Sequence, residues 1–307
     1  TIDDLEHADT DHAVQVADRV WWVGHRQDDD IFQCHVYLIE QGEQSVLLDP
    51  GSVLTFRHTL RKIEEIIPFS HIRYFICHHQ DPDITGALPL IDQMVGRDDA
   101  VLVTHWRSQM LAKHYGLRLP FWLVDAHDWR LPLVDRCLEF VFTPYAHFPG
   151  AICTFDPVSR VLFSSDLFGG LTPEFALVAQ DERYFEAMRP FHEHYMPSRD
   201  ILGYALRAIE RHPVRLIAPQ HGSIIPERLV RFMMDKLKTL DCGLYLIARG
   251  NTDIQRLSQL NRTLRDITQT MLVYRDFRDI ADSLLHIAQR VLPATALEFY
   301  ARLDERR

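Results

Sequence analysis

The chain has 307 residues, with 33 Lys and Arg against 43 Asp and Glu, giving a formal charge of −10 at pH 7. A hydrophobic fraction of 47% with 25% charged residues is ordinary for a folded globular protein and excludes a disordered, collagenous or disulfide-stapled chain. At roughly 100–200 residues per domain the length allows one large domain plus a smaller segment, no apolar run approaches the ~18 residues of a membrane span, and the acidic balance without a Lys/Arg cluster argues against nucleic acid as partner.

From the start to about residue 220 short β-rich runs alternate with amphipathic stretches. Residues 20–23, 34–39 and 45–48 read as strands, the last stopped by Asp49-Pro50-Gly51. Helical periodicity follows over about 55–66 and ends at Pro68. Tyr74-Phe75-Ile76-Cys77 is a short apolar strand that runs directly into His78-His79-Gln80-Asp81-Pro82-Asp83. Polar residues at the C-terminal end of a strand are where α/β layers build sites. Further strands are expected at 100–103, 137–142, 151–155, 160–164 and 214–218, with helices near 85–95, 105–114, 200–211 and 227–248. The order suits a layered α/β chain of αββα type. Neither G-x-G-x-x-G nor G-x-x-x-x-G-K-[ST] occurs, so a dinucleotide or P-loop site has no support.

Beyond Gly250-Asn251 the pattern changes. Leu257, Leu260, Leu264, Ile267, Met271 and Tyr274 recur at 3, 4, 3, 4, 3, a heptad seam, and Phe277, Ile280, Leu284, Ile287 and Val291 continue it after a register slip. A dimeric coiled linker is expected, with a helical hairpin packed on the body as the alternative. The stretch from Phe277 through Ala296-Leu297-Glu298-Phe299-Tyr300 resembles the opening helix and strand of a GAF-type signalling module. We therefore expect residues 1–249 to form one domain, and 250–307 a helical linker leading into a sensory or output module of a larger signalling protein. The five cysteines, Cys34, Cys77, Cys137, Cys153 and Cys242, are scattered without a C-x-x-C pair, which suits a reducing cytoplasm. Thr1-Ile2-Asp3-Asp4 has neither the basic nor the apolar region of a secretory signal.

The segment His79-Gln80-Asp81-Pro82-Asp83-Ile84-Thr85-Gly86 offers an imidazole and two carboxylates at alternate positions. Three more potential metal ligands follow apolar strands: His147 in Tyr145-Ala146-His147-Phe148-Pro149-Gly150, Asp166 in Ser164-Ser165-Asp166, and His221 in Ala218-Pro219-Gln220-His221-Gly222. Their order and spacing resemble the metallo-β-lactamase superfamily, and within it the flavodiiron branch, over about residues 15–245.

That resemblance implies an αββα sandwich followed by the helical extension. It puts His79, Asp81 and His147 on one metal, Asp83 and His221 on the other, and Asp166 between them. Asp81 stands where hydrolases of this fold carry His and flavodiiron proteins an acidic residue. Three imidazoles and three carboxylates suit two iron ions in an oxo- or carboxylate-bridged pair, with manganese and zinc as lesser possibilities. Two departures matter. Ile84 replaces a His ligand that both branches usually carry, which leaves coordination positions open for a small ligand, and His78 should point to the other side of an extended segment. The flavodoxin-like module of flavodiiron reductases, with its flavin, is not seen after residue 250.

The expected function is a diiron dioxygen-binding sensor, in a homodimer, whose ligand alters the helical exit. A dioxygen or nitric oxide reductase fed by a separate electron donor is one alternative; a dinuclear zinc hydrolase with Asp83 orienting water is the other. His25, Tyr145, His194 and Tyr195 are the candidate hydrogen-bond donors around the metals.

Overall fold

The computed structural model describes residues 5–248 together with 285, 286 and 289. The chain divides into two compact units after Gly243, and of the second a short helix, Leu244–Ala248, is described. The heptad seam at 257–291 and the GAF-like stretch lie outside the described residues, apart from those isolated positions.

The first unit is built on two sheets. One contains β1 (Val14–Ala17), β2 (Val20–Trp22), β3 (Tyr37–Ile39), β4 (Ser45–Leu48), β5 (Ile72–Ile76), β6 (Val101–Thr104) and β7 (Phe121–Leu123), side by side in that order. Its strands are antiparallel as far as β4 and parallel from β4 to β7. The other contains β8 (Arg130–Pro132), β9 (Cys137–Phe142), β10 (Ile152–Asp156), β11 (Val161–Ser165), β12 (Leu216–Pro219) and β13 (Ile225–Pro226), in the order β13-β12-β11-β10-β9-β8. Only β11 and β12 run parallel there.

Strand alternation builds the layers. Tyr37, Ile39, Val46, Leu48, Tyr74 and Ile76 from the first sheet join Leu138, Ile152, Val161, Phe163 and Ala218 from the second in one buried cluster. Leu38, Leu47 and Phe75, one residue out of phase, pack with Phe56 and Ile63 of α1 (Phe56–Glu64) and, beyond α2 (Pro82–Thr85), with Leu88 and Ile91 of α3 (Leu88–Met94). α4 (Trp106–Ala112) follows β6. On the second sheet Phe155, Leu162 and Ile217 meet Phe191 of α5 (Phe185–Tyr195), Leu202 and Leu206 of α6 (Arg199–Ile209), and Met233 and Leu237 of α7 (Glu227–Thr239). The fold is thus helix, sheet, sheet, helix, as the sequence indicates.

The differences have local causes. β1, β7, β8 and β13 have 4, 3, 3 and 2 residues, too short for a readable period. α5 carries Pro190 in its interior, and a proline there disguises a helix in sequence. The helix expected over 85–95 is two short ones that meet at Gly86-Ala87. The helix expected over 227–248 stops at Thr239, because Leu240 is extended and Gly243 adopts φ +51°.

Candidate metal centre

Parallel pairing brings the ends of four strands together in twos. Leu48 lies beside Ile76, so Asp49 and the segment Cys77 to Asp83 leave neighbouring strands. Ser165 lies beside Pro219, so Asp166 and His221 do likewise. The turns are sharp: Asp49, Tyr145, Ser165 and Phe168 all have positive φ, a backbone region non-glycine residues rarely occupy and one that clusters at functional sites. Asp81 is the residue before α2, and Pro82 supplies the fixed φ that suits a first helical position. The Thr85 hydroxyl donates to the carbonyls of Gln80 and Asp81 and ties the loop back on itself.

All six candidate ligands converge. The Asp166 carboxylate has one oxygen 3.1 Å from Nε2 of both His79 and His147, and its other oxygen 3.3 Å from Nε2 of His221. His221 Nε2 is 3.4 Å from Asp83 Oδ2. Ligand atoms of His79, Asp81 and Asp83 lie within 4.8 Å of one another. Yet His79 Nε2, His221 Nε2 and Asp166 Oδ2 are buried without a hydrogen-bond partner, a state that costs ~1–3 kcal/mol per group when nothing compensates it. Orphaned nitrogen and oxygen lone pairs facing one another fit a pair of cations. The donor set, imidazole and carboxylate, is that of iron, manganese or zinc.

Without a cation, protons carry the positive charge. Burial would push the His79 imidazole down, but the carboxylates of Asp166, Asp83 and Asp49 outweigh it and hold it at about 9. His221 is likewise driven well above the usual imidazole range, against burial, by Asp166 and Asp83. Burial would raise Asp166, but His79, His147 and His221 hold it well below the usual carboxylate range. Asp83 is lowered, its burial being outweighed by His221 and His79. Asp81 is raised by burial.

Behind the ligands stands a supporting layer that sequence reasoning leaves out. His78 is fully buried and points away from the cluster: its Nδ1 is 2.7 Å from Asp49 Oδ2 and its Nε2 2.8 Å from Thr154 Oγ1, while its backbone N–H donates to Asp49 Oδ1 at 3.0 Å. His221 Nδ1 is 2.8 Å from the Gln33 carbonyl, which leaves Nε2 free to ligate. Gln220 Nε2 donates to Asp83 Oδ2 at 2.9 Å. Gly222, with φ +80°, has no room for a side chain: a Cβ would stand 2.8 Å from Gly170 N and against Tyr184 Oη.

Aromatic rings wall the cluster. Phe32 lies 4.0 Å from the His221 ring, Phe148 4.0 Å from His147 and 5.2 Å from His79, and Tyr195 5.4 Å from His147. Ile84 is fully buried in the apolar layer between the first sheet and its helices. Of the other candidate donors, His25 stacks on His58 at 3.8 Å and His194 is exposed, while Tyr145, two residues before His147, is 45% exposed, much as Tyr195 is at 47%. On the same helix it is His192 that is buried, accepting from the Phe168 N–H at 3.0 Å. Cys34, given no role from sequence, lies beside Asp83 and His221.

The profile of the family described as ODP family beta lactamase matches residues 32–222, a span that contains every one of the six. The chain belongs to that family. Among curated relatives, type A flavoprotein fprA of Rhodobacter capsulatus is 28% identical over 69% of this chain and 52% of its own length. This ODP family member spans about half the length of the curated relatives it matches. Among solved structures, the peroxy diiron species of chemotaxis sensor ODP superposes with a TM-score of 0.64 at 23% identity, covering 78% of this chain and 99% of that one. The flavodiiron protein from Giardia intestinalis gives 0.65 at 20% identity, over 74% of this chain and 58% of that one. The αββα architecture is therefore that of the metallo-β-lactamase-like flavodiiron core. Among the described residues no helix is long and apolar enough to cross a membrane.

Proposed function

We propose that this ODP family member is a dioxygen-binding sensor domain built around two iron ions. The observation that carries the reading is the group of buried, partnerless atoms His79 Nε2, His221 Nε2 and Asp166 Oδ2, set among three further ligands whose chemistry matches iron. His79, Asp81 and His147 would hold one ion, Asp83 and His221 the other, and Asp166 both. When bound, a reduced iron pair supplies electrons to an added dioxygen.

The chain's own residues do the rest. Phe32, Phe148 and Phe191 line the ligand side with apolar rings, Phe191 5.5 Å from His221, while Tyr195, 5.4 Å from His147, is 47% exposed. The Tyr195 ring, next to His147, can present its hydroxyl to a small ligand from the solvent side. Ile84 brings no donor atom, so an ion held by Asp83, His221 and Asp166 would have few protein ligands and would leave room for a small ligand. A change of charge there acts on Gln220, Gln33 and the loop that leads from β12 towards α7. Support for a sensory role comes from the chemotaxis sensor ODP of similar fold. In this reading 1–249 is the input domain, 250–307 a helical linker to an output module in a cytoplasmic homodimer.

The test is anaerobic reconstitution with ferrous iron, a single addition of air while the visible spectrum is recorded, and oxygen uptake with NADH and a flavoprotein reductase present. A sensor gives a long-lived charge-transfer band and uptake that stops once the sites are filled. Sustained uptake would overturn the reading in favour of a reductase. Tight zinc binding with no spectral response would move it to a hydrolase.

A further inference from the structure

We propose that the thiolate of Cys34 is a further protein ligand at the second metal position, beside Asp83 and His221; this rests on the metal-centre reading above. Ligand atoms of Cys34, Asp83 and His221 all lie within 4.8 Å of one another, and His221 Nε2 is buried with no partner. An ion bound by nitrogen and sulfur at the usual ~2.1 and ~2.3 Å with a tetrahedral angle needs them about 3.6 Å apart. Cys34 Sγ lies 3.9 Å from Nδ1 of the same His221 ring, so ligation beside Nε2 requires the thiol to swing along the ring towards Asp83.

The segment carrying Cys34 is clamped onto the His221 loop. The His35 N–H donates to the Gln220 carbonyl at 2.6 Å, the Gln33 carbonyl faces His221 Nδ1 at 2.8 Å, and His35 Nε2 meets the Gly222 carbonyl. Side chains alternate along this stretch. Phe32 and Cys34 face His221, at 4.0 Å between rings and 3.9 Å from Sγ to Nδ1. His35 turns the other way and accepts from Trp22 Nε1 at 2.9 Å. The thiol gives up little by ligating. Its contacts are that one to His221 and one of 3.8 Å to the Phe32 carbonyl, both weak for sulfur.

Donor count points the same way. With Ile84 unable to ligate, Asp83, His221 and the shared Asp166 give the second ion three protein donors. Cys34 makes four and still leaves positions open for a small ligand. Binding needs no redox step: the thiol proton leaves to solvent as the metal–sulfur bond forms.

The experiment loads the metal-free protein anaerobically with cobalt(II), and compares Cys34→Ser and Cys34→Ala with the parent. The inference predicts a near-ultraviolet thiolate-to-cobalt band in the parent, lost in both variants, with cobalt affinity at one of the two positions at least ~10-fold weaker. In the parent alone, cobalt also protects Cys34 from iodoacetamide, read by peptide mass spectrometry, so the inference is testable even if both variants misfold. Two bound cobalt ions with visible ligand-field bands but no thiolate band, or a band that survives both substitutions, would overturn the role of Cys34 and leave the metal centre standing. No cobalt binding at all would overturn both.

Discussion

Asp49→Ala removes a side chain that never touches a candidate ligand, yet it should weaken the metal centre. Asp49 is 3% exposed and accepts twice from His78, from the backbone N–H at 3.0 Å and through the ring contact at 2.7 Å. Alanine leaves two buried donors without partners, each costing ~1–3 kcal/mol, about 2–6 kcal/mol together. Against a net stability of roughly 5–15 kcal/mol that is a large fraction. His79 is the next residue along the chain, so loss of the His78 anchor also loosens the ligand loop, and metal affinity should fall ~10–100-fold, as when other supporting partners of ligands are lost. Urea unfolding of the metal-free protein and a chelator-competition titration measure the two effects. Asp49→Asn, which keeps one acceptor oxygen, should lie between Asp49→Ala and the parent. Stability within about 0.5 kcal/mol of the parent together with unchanged metal affinity would refute the supporting role.

Asp156 is buried against Arg136 at 2.7 Å and also accepts from Ser159 Oγ at 2.6 Å; Asp156→Ala leaves the buried guanidinium with only the longer contact to Asp135, at 3.6 Å, among the described residues and should cost about 3–5 kcal/mol by urea unfolding. Gly222→Ala should cost about 1–3 kcal/mol in the same assay, since its Cβ has no space beside Gly170 and Tyr184. In the metal-free protein the His79 pKa is raised from 6.5 to about 9, so its stabilising contribution is complete below pH 6.5 and is lost as pH rises through about 9. The melting temperature without metal should fall over that range, and metal affinity should rise with it, because binding displaces protons. Tyr195→Phe should leave metal content unchanged and shorten the lifetime of the oxygenated spectrum, checked by stopped-flow absorbance.

What could be read from sequence was whatever repeats or sits at strand ends. β4, β5, β11 and β12 show as apolar runs followed closely by Asp49, His79, Asp166 and His221, and the order of the six candidate ligands carries the resemblance to the metallo-β-lactamase superfamily; their grouping into one centre is what that resemblance implies. The supporting layer does not, because each of its contacts joins residues far apart along the chain with no pattern between them. Asp49 meets His78 across 29 positions, and Cys34 meets His221 across 187. No C-x-x-C pair marks Cys34 in the sequence. His192, not His194, is the buried imidazole of α5, a distinction that depends on which side of a proline-containing helix faces the core. Two adjacent histidines in sequence, His78 and His79, take opposite roles, which alternation indicates but the Asp49 and Thr154 contacts explain.

Iron content after anaerobic reconstitution, measured on the parent and on Asp166→Ala, tests the metal centre most directly. Two iron ions per chain in the parent, with loss of the paired site when the shared carboxylate is removed, is the predicted result. An iron content in the parent far below one per chain, or two ions retained without Asp166, would contradict it.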